Sequence, residues 1–365
     1  MKKLIRFLLL LLYVLFNTSN VGGCTGITLK GKDGSVVFGR TLEWGGTPLN
    51  SDAIIVPRGY NYRGLTPTGK NGLKWSVKYA FVGLNLAQKP LQVAEGLNEK
   101  GLAVGAFYFP GYAQYESYNK RLNNKTISPI EFPVWLLSNF ATVQELRDGV
   151  SLSRVVPVVL KELGFVPPLH YIVTDASGAS VVLEYIKGKL TVHDNPIGII
   201  TNSPTFDWHL TNVRNYVGLA PWNKPSVFLG GMTFQRFGQG GGMFGLPGSF
   251  TAPARFVRAT LLAKFAFPGK GGYETVEKVF HVLNQFDIPD GAVRNQKGKS
   301  PQTSEVTEWT SASDTKAKRF YFHTVKNRQI RMIDLQKANL DAKDIVTVPV
   351  CSVAGTVEDV TPKAR

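Results

Sequence analysis

Cys24 is the residue in this chain best suited to nucleophilic chemistry. A cysteine thiolate is a strong nucleophile, but a thiol with a pKa near 8.5 is mostly protonated at neutral pH. If Cys24 were the first residue of the mature chain, its own α-amine, with a pKa of about 7.7–8.0, would place a general base on the same Cα atom. The alternative is that Cys24 is only a small apolar residue at a cleavage site, and this residue alone does not decide between the two.

The residues before Cys24 are typical of an export signal. Residues 1–6 carry three basic side chains and no acidic one, and residues 7–16 are nearly continuously apolar. A membrane-spanning helix needs roughly 20 apolar residues, so this run is too short to be one. Val21 and Gly23 suit a signal-peptidase cut after Gly23. We therefore expect residues 1–23 to be a signal peptide and the mature protein to be periplasmic or secreted, with its net charge lowered from +16 to +13.

The same junction allows a different interpretation. The sequence Val-Gly-Gly-Cys before and including Cys24 weakly resembles a lipobox, although Gly22 fits that pattern poorly. Under this alternative Cys24 would carry lipid, and the chain would be a non-catalytic, lipid-anchored binding protein. The rest of the sequence favours a nucleophile, and we expect no stable membrane anchor.

Two charged residues follow Cys24 at a suggestive spacing. Residues 25–29 and 35–40 alternate in the manner of strands and are separated by turn residues, so they predict a hairpin. Its returning strand would bring Arg40 near Cys24, where a fixed positive charge would lower the pKa of the thiol. Glu43 could then hold the α-ammonium through a charge-assisted hydrogen bond. The alternative for both residues is an ordinary surface position.

Other kinds of site are disfavoured by composition. The chain has two cysteines, Cys24 and Cys351, and five histidines, none of them at HExxH spacing. No GxSxG elbow, phosphate-binding loop or dinucleotide motif is present. We therefore expect no metal and no cofactor, and we expect Cys351 to be an unpaired thiol.

The net charge of +16 permits an anionic partner but does not require one. The basic residues are scattered, with no arginine-rich arm or aromatic RNA-binding motif, so we expect no nucleic-acid partner. Binding to an anionic surface or a nucleic acid remains an alternative that would show steeply salt-dependent affinity.

The pattern of elements predicts an α+β protein, with residues 24–365 forming a single domain. Strands come in runs and helices are grouped between them, which differs from a parallel βαβ sheet. The expected strands and hairpins fall at 25–29, 35–40, 53–57, 79–84, 101–109, 169–200, 319–325 and 329–335. The expected helices fall at 129–140, 143–150, 207–218, 254–265 and 274–285, and the Gly-rich stretch 228–248 is not expected to form a regular element.

Several segments, taken in order, resemble the choloylglycine hydrolase family. They are Cys-Thr-Gly at 24–26, Phe-Gly-Arg-Thr-Leu-Glu-Trp at 38–44, Val-Pro-Arg-Gly-Tyr at 56–60, Gly-Leu-Asn-Glu-Lys-Gly-Leu-Ala at 96–103, Phe-Pro-Gly-Tyr at 109–112, Thr-Asn-Ser-Pro-Thr-Phe at 201–206, Leu-Pro-Gly at 246–248, Arg-Phe-Val-Arg at 255–258 and Trp-Thr-Ser at 309–311. The resemblance covers essentially the whole mature chain. It implies a four-layer αββα sandwich of the N-terminal nucleophile hydrolase type, and hydrolysis of a linear amide C–N bond.

The resemblance also implies roles for individual residues. Cys24 matches the nucleophile, and Arg40 matches the arginine beside its thiol. Asn202 matches the asparagine whose side-chain amide donates to the oxyanion, and Arg255 matches a second active-site arginine. Tyr108 falls where the other oxyanion donor, a backbone N–H, is expected.

Glu43 departs from the family pattern, because the family typically has Asp where this chain has the longer Glu. Bile salt hydrolases usually have Asn at the position of Tyr108, whereas penicillin V acylases often have Tyr. With the aromatic residues around it, Tyr108 favours a penicillin V acylase-like activity on aryl or alkyl N-acyl amides, including N-acyl homoserine lactones. Hydrolysis of conjugated bile salts is the alternative. An extension at 217–244 resembles one that joins family homotetramers, so we expect a homotetramer.

Overall fold

The computed structural model describes residues 23–362 apart from 46–47, 162, 295–296 and 299–301. The predicted signal peptide therefore lies outside the described residues, except for Gly23. Within the described ranges, no helix is both long enough and apolar enough to cross a bilayer.

Most of the chain is built from antiparallel strands. In chain order they are β1 (Cys24–Lys30), β2 (Val36–Trp44), β3 (Ala53–Val56), β4 (Asn61–Arg63), β5 (Lys74–Ser76), β6 (Phe81–Leu86), β7 (Lys89–Asn98), β8 (Ala103–Tyr108), β9 (Thr126–Ile127), β10 (Arg154–Val155), β11 (Leu169–Thr174), β12 (Ser180–Ile186), β13 (Lys189–Asp194), β14 (Val227–Leu229), β15 (Met232–Phe234), β16 (Val293–Arg294), β17 (Ser304–Asp314), β18 (Arg319–Thr324), β19 (Asn327–Asp334) and β20 (Val346–Val348).

Two large sheets contain most of these strands. The first has the order β1-β2-β17-β18-β19, with β16 paired to β17, and the second has the order β13-β12-β11-β8-β7-β6-β3-β20. The predicted first hairpin is confirmed, because β1 pairs with β2 and Gly26 lies opposite Arg40. Strand β17, from the last quarter of the chain, inserts beside β2, so strands far apart in sequence share one sheet.

The helices cover the outer faces of the two sheets. They are α1 (Phe132–Asn139), α2 (Val143–Gly149), α3 (Phe206–Val213), α4 (Ala252–Phe265) and α5 (Gly272–Leu283), with 3-10 turns at Lys120–Lys125, Val150–Leu152, Arg214–Tyr216, Gly241–Met243 and Asn284–Phe286. Helix α1 packs on β7 and β8 of the second sheet, and α4 and α5 pack on the first sheet.

The core shows why the two sheets stack. Along β11, Tyr171 and Val173 pack into the layer under α1, whereas Ile172 between them faces the other sheet. Ile172 shares that inner layer with Ile27 of β1. Because alternate side chains of one strand are buried on both faces, the strand must lie inside a sandwich. The predicted α+β class and four-layer αββα sandwich are confirmed.

The predicted helices are present with shifted ends. Helix α1 begins at Phe132 and not at 129, because Glu131 and not Ser128 stands at its N-cap. Helix α3 ends at Val213, where the chain continues as a 3-10 turn.

The expectation that 228–248 contains no regular element is wrong in one part. Residues Val227–Leu229 and Met232–Phe234 pair as a short antiparallel hairpin. Gly230 and Gly231 form its two-residue turn with φ of 59° and 79°. Both φ values lie in the left-handed region that favours glycine, as the tight turns between antiparallel strands require.

Candidate active site

Cys24 begins β1 at the edge of the first sheet and is buried, with 5% of its surface exposed. The segment before Asn202 pairs with this edge through two backbone hydrogen bonds between Gly26 and Ile200, of 2.8 and 3.1 Å. Continuing that antiparallel register by two residues sets Asn202 beside Cys24. The sheet edge therefore brings together two residues that are 178 positions apart.

Gly26 is required for this pairing. A Cβ atom at Gly26 would lie 2.8 Å from both Ile200 Cγ2 and Phe107 Cζ, which is closer than side-chain carbons approach. The glycine therefore permits the backbone at Ile200 to come close enough to hold the loop against β1.

Asn202 is the centre of the hydrogen-bond network around Cys24. Its Oδ1 accepts hydrogen bonds from the Cys24 backbone N at 2.8 Å and from Arg255 Nη2 at 2.6 Å. Its Nδ2 donates to the Tyr108 backbone O at 2.7 Å, which uses one of the two amide hydrogens. The second amide hydrogen is free to donate to another acceptor.

Arg255 is buried and not a surface residue. It lies in the first turns of α4, where Pro253 suits a helix start, and its Nε donates to the Phe250 backbone O at 2.8 Å. Its Nη1 donates to the Cys24 backbone O and, at 3.0 Å, to Thr25 Oγ1. A single guanidinium therefore joins β1, Asn202 and α4.

Tyr108 ends β8 and presents its backbone to the same site. Phe109 N donates to Pro168 O next to β11, and backbone groups alternate in direction along a strand. The N–H and C=O of Tyr108 therefore point away from β11, and the carbonyl meets Asn202. The Tyr108 N–H points toward the same side.

Arg40 lies on the same side of the hairpin as Cys24, with its guanidinium fully buried. Its Nη1 donates to Ala106 O at 2.6 Å and to Ala94 O at 3.2 Å, and its Nε lies 3.7 Å from Glu95 Oε2. The guanidinium also stands over the Phe107 ring, 4.2 Å from its centroid.

Arg40 lowers the pKa of the Cys24 thiol, as the hairpin predicted, but its effect is not the largest one. Burial of the thiol raises its pKa, and this outweighs the lowering by Arg40, the next largest influence, and by Arg255. Arg40 is itself paired with Glu95, so it does not act as an unopposed cation. The thiol stays protonated until a base removes its proton.

Glu43 is buried next to Thr307, whose hydroxyl donates to Glu43 Oε1 at 3.0 Å. Its Oε2 has no hydrogen-bond partner among the described residues. Burial raises the pKa of this carboxyl to about 8, although Arg255 opposes the shift. The full chain has Gly23 joined to Cys24, so the Cys24 nitrogen is a peptide amide and has no basic lone pair.

Sequence reasoning missed two carboxylates near this site, the buried Glu95 and the partly buried Glu305. Glu95 stands directly before the matched segment 96–103, and its position on a strand of buried residues could have drawn attention to it. Glu305 has no such signal. A methyl group placed on Gly23 would lie 3.4 Å from Glu305 Oε2 and 3.5 Å from Arg255 Nη2, so Glu305 lies at the residue before Cys24.

A narrow apolar pocket of about 80 Å³ opens beside the Cys24 side chain. Its walls are mostly aliphatic and aromatic and include Leu42, Trp44, Leu86, Tyr108, Ile130 and Leu169. Such a surface suits an apolar group placed next to the thiol.

In the part of the chain that the structure describes, neither a disulfide nor a cluster of metal ligands accompanies this site. Cys24 and Cys351 are both free. Among the described residues, no three His, Cys, Asp or Glu side chains cluster as metal ligands would.

Comparison with known proteins defines the class to which this fold and site belong. The family model for linear amide C–N hydrolases, choloylglycine hydrolase family, matches residues 24–348. The chain therefore belongs to the choloylglycine hydrolase family, and it is an amide hydrolase with the N-terminal nucleophile type of fold.

The relatives include bile salt hydrolases and a penicillin V acylase. The chain is 35% identical over 326 residues to the bile salt hydrolase/transferase of Clostridium perfringens, covering 89% of this chain and 96% of the relative. It is 26% identical to the penicillin V acylase of Pectobacterium atrosepticum, covering 83% and 78%. A solved variant of conjugated bile acid hydrolase from Clostridium perfringens matches with a TM-score of 0.82 at 32% identity, covering 93% of this chain and all of that one.

Proposed function

We propose that this protein hydrolyses linear amides with Cys24 as an N-terminal nucleophile, after residues 1–23 have been removed during export. The single observation that carries the proposal is the network in which Asn202 contacts the Cys24 nitrogen, Arg255 and Tyr108 together. A decayed binding protein with a lipid on Cys24 has no need of these buried polar contacts.

The reaction begins when Cys24 Sγ attacks the carbonyl carbon of the substrate and the thiol proton passes to the α-amine of Cys24. The oxyanion that forms accepts hydrogen bonds from the Tyr108 N–H and the second amide hydrogen of Asn202. Removing one such donor typically costs about 10²–10³ in rate. The protonated α-amine then donates its proton to the leaving nitrogen, and the C–N bond breaks.

A water molecule completes the cycle by attacking the thioester. The α-amine takes one proton from the water and returns it to the departing sulfur, which releases the acid and restores Cys24. Glu43 has a buried oxygen with no partner beside this position, and we assign it to hold the α-ammonium. An adjacent ammonium would lower the pKa of Glu43 below its raised value of about 8.

We propose conjugated bile salts as the substrate class. The support is the higher identity to a bile salt hydrolase, 35%, than to a penicillin V acylase, 26%. The expectation that a penicillin V acylase-like activity comes first is therefore less well supported than its alternative.

Aryl or alkyl N-acyl amides are the second candidate, and one geometric observation favours them. The pocket beside Cys24 holds about 80 Å³, whereas sites for drug-sized ligands hold roughly 300–1,000 Å³. A slim chain or a single ring fits this space directly, while a steroid requires the pocket walls to move apart.

We also propose that the protein assembles as a homotetramer through the extension at 217–244. In this extension, large apolar side chains of a kind usually buried in folded proteins are exposed to solvent. They are Val217, Trp222, Val227, Phe228, Leu229, Met232, Phe234, Phe237 and Phe244. So many exposed large apolar side chains within one short segment are typical of a protein–protein interface.

The deciding experiment combines the mass of the exported protein with its activity. We expect an intact mass that begins at Cys24 and release of glycine from glycocholate, with slower release of the amine from penicillin V. Changing Cys24→Ser should lower turnover by roughly 10⁴-fold or more, because a weaker nucleophile replaces the thiol. The matched control Cys351→Ser should retain full activity.

Three outcomes would contradict parts of this proposal. A diacylglyceryl-modified Cys24, or Cys24→Ser as active as the parent, would overturn the mechanism. Faster hydrolysis of penicillin V than of glycocholate would select the second substrate class.

A further inference from the structure

His170 lies in β11 on the same face as Ile172 and is buried, with 1% of its surface exposed. Its Nδ1 lies 3.1 Å from Glu184 Oε1, and its Nε2 lies 3.0 Å from the Thr201 backbone O. The ring is sandwiched flat against Phe109, with centroids 4.2 Å apart. Both ring nitrogens therefore have a defined partner.

Both of those partners are hydrogen-bond acceptors. A backbone carbonyl has no proton to donate, and an ionised carboxylate has none either. Burial alone would raise the pKa of Glu184, but hydrogen bonds from His170 and His193 lower it to about 2. Phe206 N also donates to Glu184 Oε1, at 3.0 Å. Because the Thr201 carbonyl can only accept, Nε2 of His170 carries the hydrogen of that contact, and Glu184 holds the other side of the ring.

A second histidine holds the next carbonyl of the same loop. His209 in α3 lies 2.8 Å through Nε2 from the backbone O of Asn202, and its ring stacks on Phe256 with centroids 4.5 Å apart. Burial lowers the pKa of His209 to about 4. The ring is therefore neutral with its hydrogen on Nε2, which is the form that can donate to the Asn202 carbonyl.

We propose that His170, held through Nδ1 by Glu184, and His209 are the positioning residues of the Asn202 loop. Each fixes one of two consecutive backbone carbonyls, and together they keep the Asn202 side chain aimed at Cys24. Their catalytic consequence rests on the proposed function, in which Asn202 donates to the oxyanion. The titratable groups near His170 are Glu184, His193 and His209.

Substitution of His170 tests the positioning role. His170→Gln keeps at most one of the two hydrogen bonds, so we expect kcat to fall roughly 10- to 100-fold with KM changed less than about threefold. Alkylation of Cys24 by iodoacetamide needs no oxyanion donor, and its rate should stay at the parent value. The control His323→Gln replaces another buried histidine, in β18 against Phe280, and should leave kcat unchanged.

His209 offers a conservative rescue that a merely space-filling role would not show. His209→Gln retains an N–H donor and should keep most of the activity, whereas His209→Phe should lose about tenfold in kcat at similar KM. Parent-like kcat in both His170→Gln and His209→Phe would overturn the proposal. So would an equal loss in kcat and in Cys24 alkylation for these variants.

The protonation state can be measured without any substrate. The chain has five histidines, so ¹⁵N-histidine labelling gives a short spectrum in which His170→Gln identifies one ring. We expect Nε2 of both His170 and His209 to carry hydrogen from pH 6 to 8, because each faces a backbone carbonyl. A hydrogen missing from Nε2 of either ring would overturn the assignment. If the parent hydrolyses no amide, the proposed function fails, while this spectrum still decides the state of His170.

Discussion

The candidate active site and the extension at 217–244 depart in opposite ways from the usual distribution of side chains between the core and the surface. Around Cys24, ionisable side chains that usually face water are buried, including Arg40, Glu43 and Arg255. In the extension, aromatic side chains that usually lie inside are exposed, and Phe237 and Phe244 are 107% and 91% exposed. In the first region, the free-energy cost of burying charged groups is offset by pairing within the protomer. In the second region, no part of the described protomer covers the exposed aromatic side chains.

The difference shows where each region finds its partners. The buried charges find hydrogen-bonding groups within the chain, such as the three backbone carbonyls around Arg40, although Arg40 Nη2 and Glu43 Oε2 have no partner among the described residues. Their arrangement is therefore fixed by the fold of one chain. The exposed aromatics acquire a comparable environment only against another molecule, in keeping with the tetramer we propose.

The largest expected effect comes from breaking the buried pair of Arg40 and Glu95. Glu95→Gln leaves the Arg40 guanidinium buried without its carboxylate, and we expect the free energy of unfolding to fall by about 3–5 kcal/mol. Urea denaturation followed by tryptophan fluorescence measures this change.

A second substitution checks the cause of that loss. Replacing both members of the pair, as Arg40→Met with Glu95→Gln, should recover much of the stability, since no uncompensated charge remains. A loss below about 1 kcal/mol in Glu95→Gln would mean that the backbone carbonyls alone stabilise Arg40.

An effect of intermediate size is expected from Glu305, through pH. Burial raises the pKa of this carboxyl to about 7, opposed by Arg255, while its value in the unfolded chain is about 4.5. The folded state therefore binds more protons than the unfolded state between these values, and stability falls as pH rises through this window. Glu305→Gln removes this term, worth roughly 1–2 kcal/mol after allowance for partial exposure.

The measurement is the melting temperature of parent and variant between pH 4.5 and 8. The two curves should converge at the acid end, and the variant should be more stable at the alkaline end. The control Glu277→Gln removes an exposed carboxylate of α5 and should leave the curve parallel to that of the parent. Parallel curves for parent and Glu305→Gln would show that Glu305 titrates normally.

The same comparison separates what the sequence could predict from what it could not. The pairing of Arg40 with the strand of Cys24 follows from a local hairpin, since turn residues and alternation lie within twenty positions. The position of Asn202 depends on a bridge between Gly26 and Ile200, which no local pattern encodes. For Asn202 the prediction came from family resemblance, and the structure places it at Cys24.

The electrostatics were less predictable than the positions. The pKa of Cys24 depends on how much water the fold excludes, and that burial outweighs the nearby Arg40. The sequence does not point to Glu95 or His170 either. Glu95 matters because it lies beside the buried Arg40, and His170 because it contacts a backbone carbonyl. A sequence reveals residue types readily, but it does not reveal which of them the fold will remove from water.

The smallest effect on the protomer itself is expected in the extension. Phe228 and Phe234 lie on the exposed hairpin of β14 and β15, and Phe228→Asp with Phe234→Asp places two charges on the surface that we assign to another copy. Exposed substitutions usually change unfolding free energy by less than about 0.5 kcal/mol. Sedimentation equilibrium should therefore show dissociation to protomers that remain folded, with kcat within about twofold of the parent.

The matched control Val357→Asp charges an apolar residue that is also exposed, at 98%, but lies outside the extension, and it should leave the mass of the assembly unchanged. A parent that sediments as a monomer, or a double variant that keeps the parent's mass, would show that the exposed aromatics serve something other than self-association.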